Sequence, residues 1–473
     1  MNVPENENIL GDGLYPLPEN WRWLTLIDIG DIVAGGTPST YDPLNFDGDI
    51  PWITPADLSG FSEKFIKSGK RNISAIGLKS SSATLLPTGS VLFSSRAPIG
   101  YVAIAANLLC TNQGFKNVIP NGCVTSDYLY HYLRTCKELA ESRASGTTFL
   151  EISKSKFSIL PIPVPSLDKQ RRIVARLESI LAQIRTARAA LERIPALIKA
   201  FRQSVLAAAF RGELTGRDPS DEPAEALLER ICAERRRRWE ESLRAKGKDP
   251  ANYTYEEPAS PDTSNLPELP EGWVWTNLRT LADVRSGVTK GRDLSRFETI
   301  EVPYLRVANV QAGFLDLREV KQISIKDDEL EGYKLQVNDV LYTEGGDRDK
   351  LGRGTVWKGE VDPCIHQNHI FCARLYLPEV SPEWVSMTGQ LEYARDYVNS
   401  VASQSVNLAS INSTNLKAMP IPLPSVQEQL RIVEKMKILY RKVNDVEIAV
   451  QIASRRLDKL EQAALAKAFR GEL

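Results

Sequence analysis

Across 473 residues no apolar run approaches the ~20 positions that span a bilayer, so no membrane partner is expected. Met1 to Leu10 carry Glu5 and Glu7 without an apolar core and do not read as a signal peptide. Cysteine is sparse: Cys110, Cys123, Cys136, Cys232, Cys364 and Cys372 include no Cys-x-x-Cys pair and no disulfide framework, which points to the cytoplasm. Histidine is rarer still, limited to His131, His366 and His369. There is no GxxxxGK[ST] phosphate loop, HExxH, GxSxG or glycine-rich dinucleotide turn, and no Asn/Asp-Pro-Pro-aromatic tetrapeptide of amino-methyltransferases. No catalytic residue is assigned. An excess of one charge is missing as well, with 59 basic against 60 acidic side chains. Such a balance argues against a nucleic-acid partner only if the charges are evenly spread.

What the chain does contain is itself, twice. Its length suits about three globular units, or two plus something elongated. Leu17-Pro18-Glu19-Asn20-Trp21-Arg22-Trp23 returns as Leu269-Pro270-Glu271-Gly272-Trp273-Val274-Trp275, an offset of 252. Pro161-Ile162-Pro163-Val164-Pro165 returns as Pro420-Ile421-Pro422-Leu423-Pro424 at offset 259, and so does Ala209-Phe210-Arg211-Gly212-Glu213-Leu214 as 468–473. Seven extra residues therefore accumulate inside the second globular part, whereas the 49-residue segments 166–214 and 425–473 match without a gap. Segments whose length alone is held constant behave as rulers.

Apolar spacing gives these segments a structure. Ile173, Leu177, Ile180, Ile184, Ala187, Leu191, Ile194 and Ile198 alternate steps of four and three, and 259 residues on stand Ile432, Met436, Leu439, Val443, Val446, Val450, Ala453 and Leu457. A heptad stripe sustained this long predicts a coiled coil, with Ser166 and Ser425 as N-caps. Two equal stripes in one chain are each other's obvious partners. Packed antiparallel, they would give the internal repeat a pseudo-two-fold axis. Pro195 is expected to kink or end the first helix after 28 residues, or ~42 Å. Each globular part reads as α/β (α+β) with short strands such as Ser90–Phe93 and Asp339–Tyr342, and helices near Tyr128–Arg143 and Glu383–Val398.

The charges are unevenly spread. Net charge is −2 for residues 1–165, +6 for 166–214, −3 for 215–265, −5 for 266–424 and +3 for 425–473. The near-neutral total conceals two positive helices between mildly acidic globular parts. Three pairs of polar, glycine-bordered loops recur in those parts: 94–100 with 343–353, 110–116 with 364–370 at offset 254, and 145–148 with 404–407. Gln and Asn can form paired bonds to adenine, and Arg or Lys to guanine. The spacings within Cys364–Cys372 do not match zinc pairs, so no metal is assigned; the segment reads as one strand with 364, 366, 368, 370 and 372 on a common face.

Taken in order, these features resemble the specificity subunit of type I restriction–modification systems, over nearly the whole chain. The resemblance is carried by Leu17–Trp23 and Leu269–Trp275, Pro51-Trp52-Ile53-Thr54-Pro55, 95–100, Thr111-Asn112-Gln113-Gly114-Phe115, His366-Gln367-Asn368-His369, Pro161–Gln170, Pro420–Gln429 and the two Ala-Phe-Arg-Gly-Glu-Leu endings. It implies two target-recognition domains, each reading half of a split DNA sequence, and no catalysis in this chain. It also implies two methyltransferase subunits using S-adenosylmethionine, and two ATP- and Mg2+-dependent translocase–nuclease subunits.

On that basis residues 1–165 are recognition domain 1, 166–214 the central spacer helix, 215–265 a charged helix and linker, 266–424 recognition domain 2, and 425–473 the distal spacer helix. Loop placement and side-chain chemistry select Arg96, Asn112, Gln113, Lys116, Thr147, Thr148, Arg306, Asn309, Arg348, Lys350, Arg353, His366, Gln367, Asn368 and Gln404 as DNA-contact candidates. The ~42 Å rod suggests half-sites about one DNA turn apart. Two other readings stay open: a specificity module of another modification class, and a two-headed coiled-coil adaptor with no DNA role.

Overall fold

The two repeated sequence motifs of each globular part are strands of one ribbon. Arg22–Thr25 pairs antiparallel with Pro161–Val164, setting Trp23 opposite Pro163, and Val274–Asn277 pairs with Pro420–Leu423, setting Trp275 opposite Pro422. Prolines cannot donate to a ladder, so a two-stranded ribbon with outward-facing edges is where they are tolerated. The computed structural model describes residues 14–146, 150–346, 351–404 and 409–473. The chain divides into two compact units, residues 1–194 with 449–473 and residues 195–448.

In the first unit a five-stranded sheet runs in the order Gly30–Ala34, Phe115–Pro120, Val91–Ser95, Ile99–Ala105, Phe65–Ile66. A three-stranded sheet places Phe46–Ile53 between Arg71–Ile73 and Cys110–Thr111. In the second unit the corresponding sheets are Ala282–Ser286, Ile370–Leu375, Val340–Thr343, Gly354–Val356, and Lys321–Lys326, Thr299–Leu305, Ile365–His366. Val91–Ser95 is buried on both faces, as its unbroken Val-Leu-Phe start predicts. The fold is mixed α/β. Among the described residues no helix is long and apolar enough to cross a membrane.

The long helices span Leu167–Phe210 and Val426–Arg470 and pack together. Of the two outcomes expected at Pro195, a kink or an end, the second does not occur: the helix continues through it. Proline removes one hydrogen bond, but the flanking turns keep their packing through half-buried Leu191 and Ile194 before it and buried Ile198 after it. The ~42 Å rod therefore has no structural counterpart, and the one-turn spacing derived from it loses its basis. Inside the first unit the start of the central helix (Ile173, Leu177, Leu181, Ile184) shares a core with the end of the distal helix (Ala464, Leu465, Ala468, Phe469). The second unit repeats this with Val205, Leu206, Ala209 and Phe210 beside Ile432, Val433 and Met436. The end of one helix thus lies against the start of the other.

The stripe itself is refined. Ile173, Leu177, Ile184, Ile432, Met436 and Val443 are buried, while Ile180, Leu191, Ile194, Leu439, Val450 and Leu457 are half-buried. Val446 is a correction, being 47% exposed, and Leu181 takes a buried place that the stripe omitted. A 3.6-residue turn drifts from a 3.5-residue repeat, and near their ends the helices face sheet and aromatic side chains as well as each other.

The proline-rich launch and the Ala-Phe-Arg-Gly-Glu-Leu ending anchor each helix. Gln170 and Gln429, both fully buried, donate from Nε2 to the Pro165 and Pro424 carbonyls at 3.0 Å. At the far ends Phe210 stacks on Trp384 at 4.1 Å, and Phe469 meets Tyr128 and Tyr132 edge-on. Gly471 closes its helix at φ +76°, where a Cβ would come within 2.5 Å of Pro18. Gly212, at φ +67°, abuts Pro270. The Leu-Pro-Glu-x-Trp motif is therefore the seat for a helix ending.

Candidate nucleic-acid interface

The polar loops converge at one end of the central strands in each unit and form a loop edge there. In the first unit the Ser95 amide donates to the Gly114 carbonyl at 2.7 Å, and the Ile152 amide donates to the Ser95 carbonyl at 3.0 Å. Loops 94–100, 112–116 and the segment around Glu151 are thereby tied together. The second unit repeats the same bonds: the Glu344 amide to the His369 carbonyl at 3.0 Å, and the Ile411 amide to the Glu344 carbonyl at 2.8 Å. Gly35 and Gly287 underlie both edges, since a Cβ there would lie 1.9 Å from the Asn112 carbonyl oxygen and 2.0 Å from that of His366.

These bonds correct the alignment of the two units. Trp52 pairs with Cys110, and its repeat equivalent Tyr304 pairs with Ile365, so this segment matches at offset 255 instead of 254. Thr111 corresponds to His366, Asn112 to Gln367 and Gln113 to Asn368. A one-residue slip reverses every side chain, so offset 254 matches half-buried Asn112 to buried His366. The segment 364–372 is also not one strand: Ile365–His366 and Ile370–Leu375 flank a turn at Gln367–His369.

On this shared frame the side chains differ. In the first unit Lys116 is buried, with Nζ 3.1 Å from Ser95 Oγ and 3.3 Å from Glu151 Oε1, and Arg96 Nη1 lies 3.6 Å from Glu151 Oε2. Asn112 Oδ1 accepts the Gly114 amide at 2.9 Å, and Gln113 is exposed beside it. The second unit has Gly345, Phe371 and Ser410 where the first has Arg96, Lys116 and Glu151. Its polar contact is His369 Nδ1 with Glu344 Oε2 at 2.6 Å, next to half-exposed Gln367 and Asn368. Glu151 and Glu344 are not among the candidates, which are cationic, amide, hydroxyl and imidazole side chains, yet a carboxylate can accept from cytosine.

Other candidates fall elsewhere. His366 is buried, its Nδ1 2.9 Å from the Ile370 carbonyl, and burial pushes its pKa down to about 4, so it is a core residue. Asn309 is also buried; it accepts from the Arg306 amide at 2.8 Å and donates to the Asp316 and Glu319 carbonyls. Both are corrections: a buried polar group whose bonds are already satisfied has nothing to offer a base edge. Arg306 directly follows Leu305, whose carbonyl accepts the Gln367 amide at 2.9 Å, and its guanidinium lies 3.2 Å from Glu319. Arg353 reaches Gln311 at 2.8 Å. Thr147, Thr148, Arg348 and Lys350, with the side chain of Gln404, lie outside the described residues.

A family model described as the type I restriction modification DNA specificity domain matches twice, over residues 18–196 and 270–452. The chain is 29% identical over 341 residues to the type I restriction enzyme MjaIX specificity subunit of Methanocaldococcus jannaschii, covering 71% of this chain and 69% of that protein. It is 24% identical over 473 residues to the EcoKI specificity subunit of Escherichia coli K12, covering 97% and 90%. Two solved structures share the fold at 20% identity. One, from work on assembly and conformational transition of the type I system, gives a TM-score of 0.67 over 97% of this chain and 100% of the other. The other, the HsdS subunit from Thermoanaerobacter tengcongensis, gives 0.58 over 98% and 99%.

The chain belongs to the type I restriction–modification DNA specificity family, whose domain it carries twice. It is a specificity subunit, the non-catalytic, target-recognising component of a complex whose cofactors belong to other subunits.

Proposed function

We propose that this subunit reads an asymmetric, bipartite double-stranded DNA target, one half per unit, at the loop edges built around Gln113 and around Gln367 and Asn368. One observation carries this proposal: the two edges share the same backbone bonds but present different side chains, Arg96 and Glu151 against Gly345 and Ser410, while Lys116 is buried behind its edge. A shared frame with different readers suits two unlike half-sites. Residues 1–165 and 266–424 form the recognition domains, with 215–265 linking the halves.

The positive long helices hold two methyltransferase subunits, which bring S-adenosylmethionine. In the restriction complex two translocase–nuclease subunits join them with ATP and Mg2+, and the assembly works in the cytoplasm. Mapping methylated positions in cells that express the complex is the test: two short unlike motifs separated by unread bases are expected. A single continuous palindrome overturns the proposal.

A further inference from the structure

Where the two long helices meet, the cations sit on one helix and the anions on the other. In the first unit Arg188 Nη2 donates to Glu461 Oε2 at 3.1 Å and lies 3.0 Å from Asp458 Oδ1; Arg134 also donates to Glu461, at 2.8 Å. In the second unit Arg202 Nη2 donates to Glu447 Oε2 at 2.9 Å and to Asn444 Oδ1 at 2.7 Å. The repeat offset of 259 carries Arg188 to Glu447 and Arg202 to Glu461. Each ion pair is therefore the repeat image of the other with its charges exchanged. The same offset carries Arg185 to Asn444 and Lys199 to Asp458. At four equivalent positions the central helix has Arg, Arg, Lys and Arg where the distal helix has Asn, Glu, Asp and Glu.

Pairing alone does not require this segregation. One Arg and one Glu on each helix would make the same two ion pairs. Segregation does penalise pairing of like with like, which the apolar stripes cannot do because their spacing is the same in both helices. Two central helices in the same register would set Arg188 against Arg202 and Lys199, and Arg202 against Arg188 and Arg185. Two distal helices would set Glu447 against Glu461 and Asp458. Each half-exposed pair is weak by itself, but discrimination adds the attraction present in one arrangement to the repulsion incurred in the other.

We propose that Arg185, Arg188, Lys199 and Arg202 with Asn444, Glu447, Asp458 and Glu461 form a pairing code. It directs the central helix onto the distal helix and away from a second copy of itself. Two chains are thereby kept from joining central helix to central helix and distal helix to distal helix.

The test uses the full chain carrying R202E together with E447R. This double change reverses one ion pair without removing it and leaves Arg188–Glu461 intact. It also turns the Arg–Arg and Glu–Glu contacts of like-with-like pairing attractive. Wild type and variant are refolded from denaturant at high protein concentration and low salt, then analysed by sedimentation velocity. The variant is expected to give about a tenfold larger dimer fraction. An unchanged fraction overturns the proposal, because chain connectivity alone would then suffice to choose the partner. Should the variant not fold, wild type refolded between about 0.05 M and about 1 M salt gives the same information, since screening weakens the code. A dimer fraction that rises with salt supports the code, and one that stays flat overturns it.

Discussion

The side-chain carbonyl of Gln170 accepts the backbone amide proton of Thr125 across 2.9 Å. Thr125 caps the helix Ser126–Leu133, so this bond fastens the start of a long helix to the start of a helix in its recognition domain. Gln429 and Ser381 repeat the arrangement at 3.0 Å, Ser381 capping Pro382–Thr388. Gln170→Ala would leave the Thr125 amide and the Cys123 and Pro165 carbonyls without their partner. A loss of about 3 kcal/mol is expected in urea denaturation. A loss below about 1 kcal/mol would show that water substitutes for the glutamine.

Gly471→Ala should also cost stability, by about 2 kcal/mol, through two separate causes. At φ +76° a side chain is strained, and the added Cβ would press on Pro18 at 2.5 Å. Gly60 provides the control, since it too has positive φ but has nothing within 4 Å of a Cβ. Thermal melts in which both variants lose the same amount would remove the packing half of the argument.

Stability should fall in mild acid before the carboxylates are involved. Burial outweighs the Glu178 carboxylate 3.3 Å from His131 and pushes that imidazole down to about 4, matching His366 at about 4. The folded protein then rejects a proton that the unfolded chain takes up near 6.5. The folded state is fully favoured above 6.5 and loses ground as pH falls from there to 4. At pH 5 each histidine should cost about 2 kcal/mol relative to neutral pH. Denaturant midpoints at pH 7 and pH 5, compared with those of a His131→Gln variant, measure it. An equal drop in that variant would sink the assignment for His131.

Substitutions at the loop edges should separate readers from scaffold. Gln113→Ala is expected to weaken specific DNA binding by about 1–3 kcal/mol and to relax one half of the target only, with Gln367→Ala acting on the other half. Asn309→Ala should lower stability by about 1–3 kcal/mol and leave the methylated motif unchanged. Methylome sequencing gives the motif, and an altered motif with Asn309→Ala would return that residue to the interface.

Much of the architecture was legible because it rests on local, periodic information. The heptad steps from Ile173 and Ile432, the gapless 49-residue copies and the glycine ahead of each Glu-Leu ending are properties of a stretch of chain read alone. What could not be read depends on which strand lies beside which. Offset 255 follows from the pairing of Cys110–Thr111 with Phe46–Ile53, and only that register turns His366 inward and leaves Gln367 and Asn368 at the edge. Asn309 looked like a reader because amide side chains suit bases equally well as they suit backbone caps.

The sequence by itself determined two similar α/β units and two matched helices, since repeats, periodicity and turn residues are carried by neighbours along the chain. Tertiary structure decided the rest. It carried the central helix through Pro195, because packing on both sides outweighs one lost hydrogen bond. It brought three separated loops to one edge, because sheet pairing joins residues far apart in the chain. It also revealed that the charges meeting between the two helices are sorted by helix, because only packing shows which side chains meet.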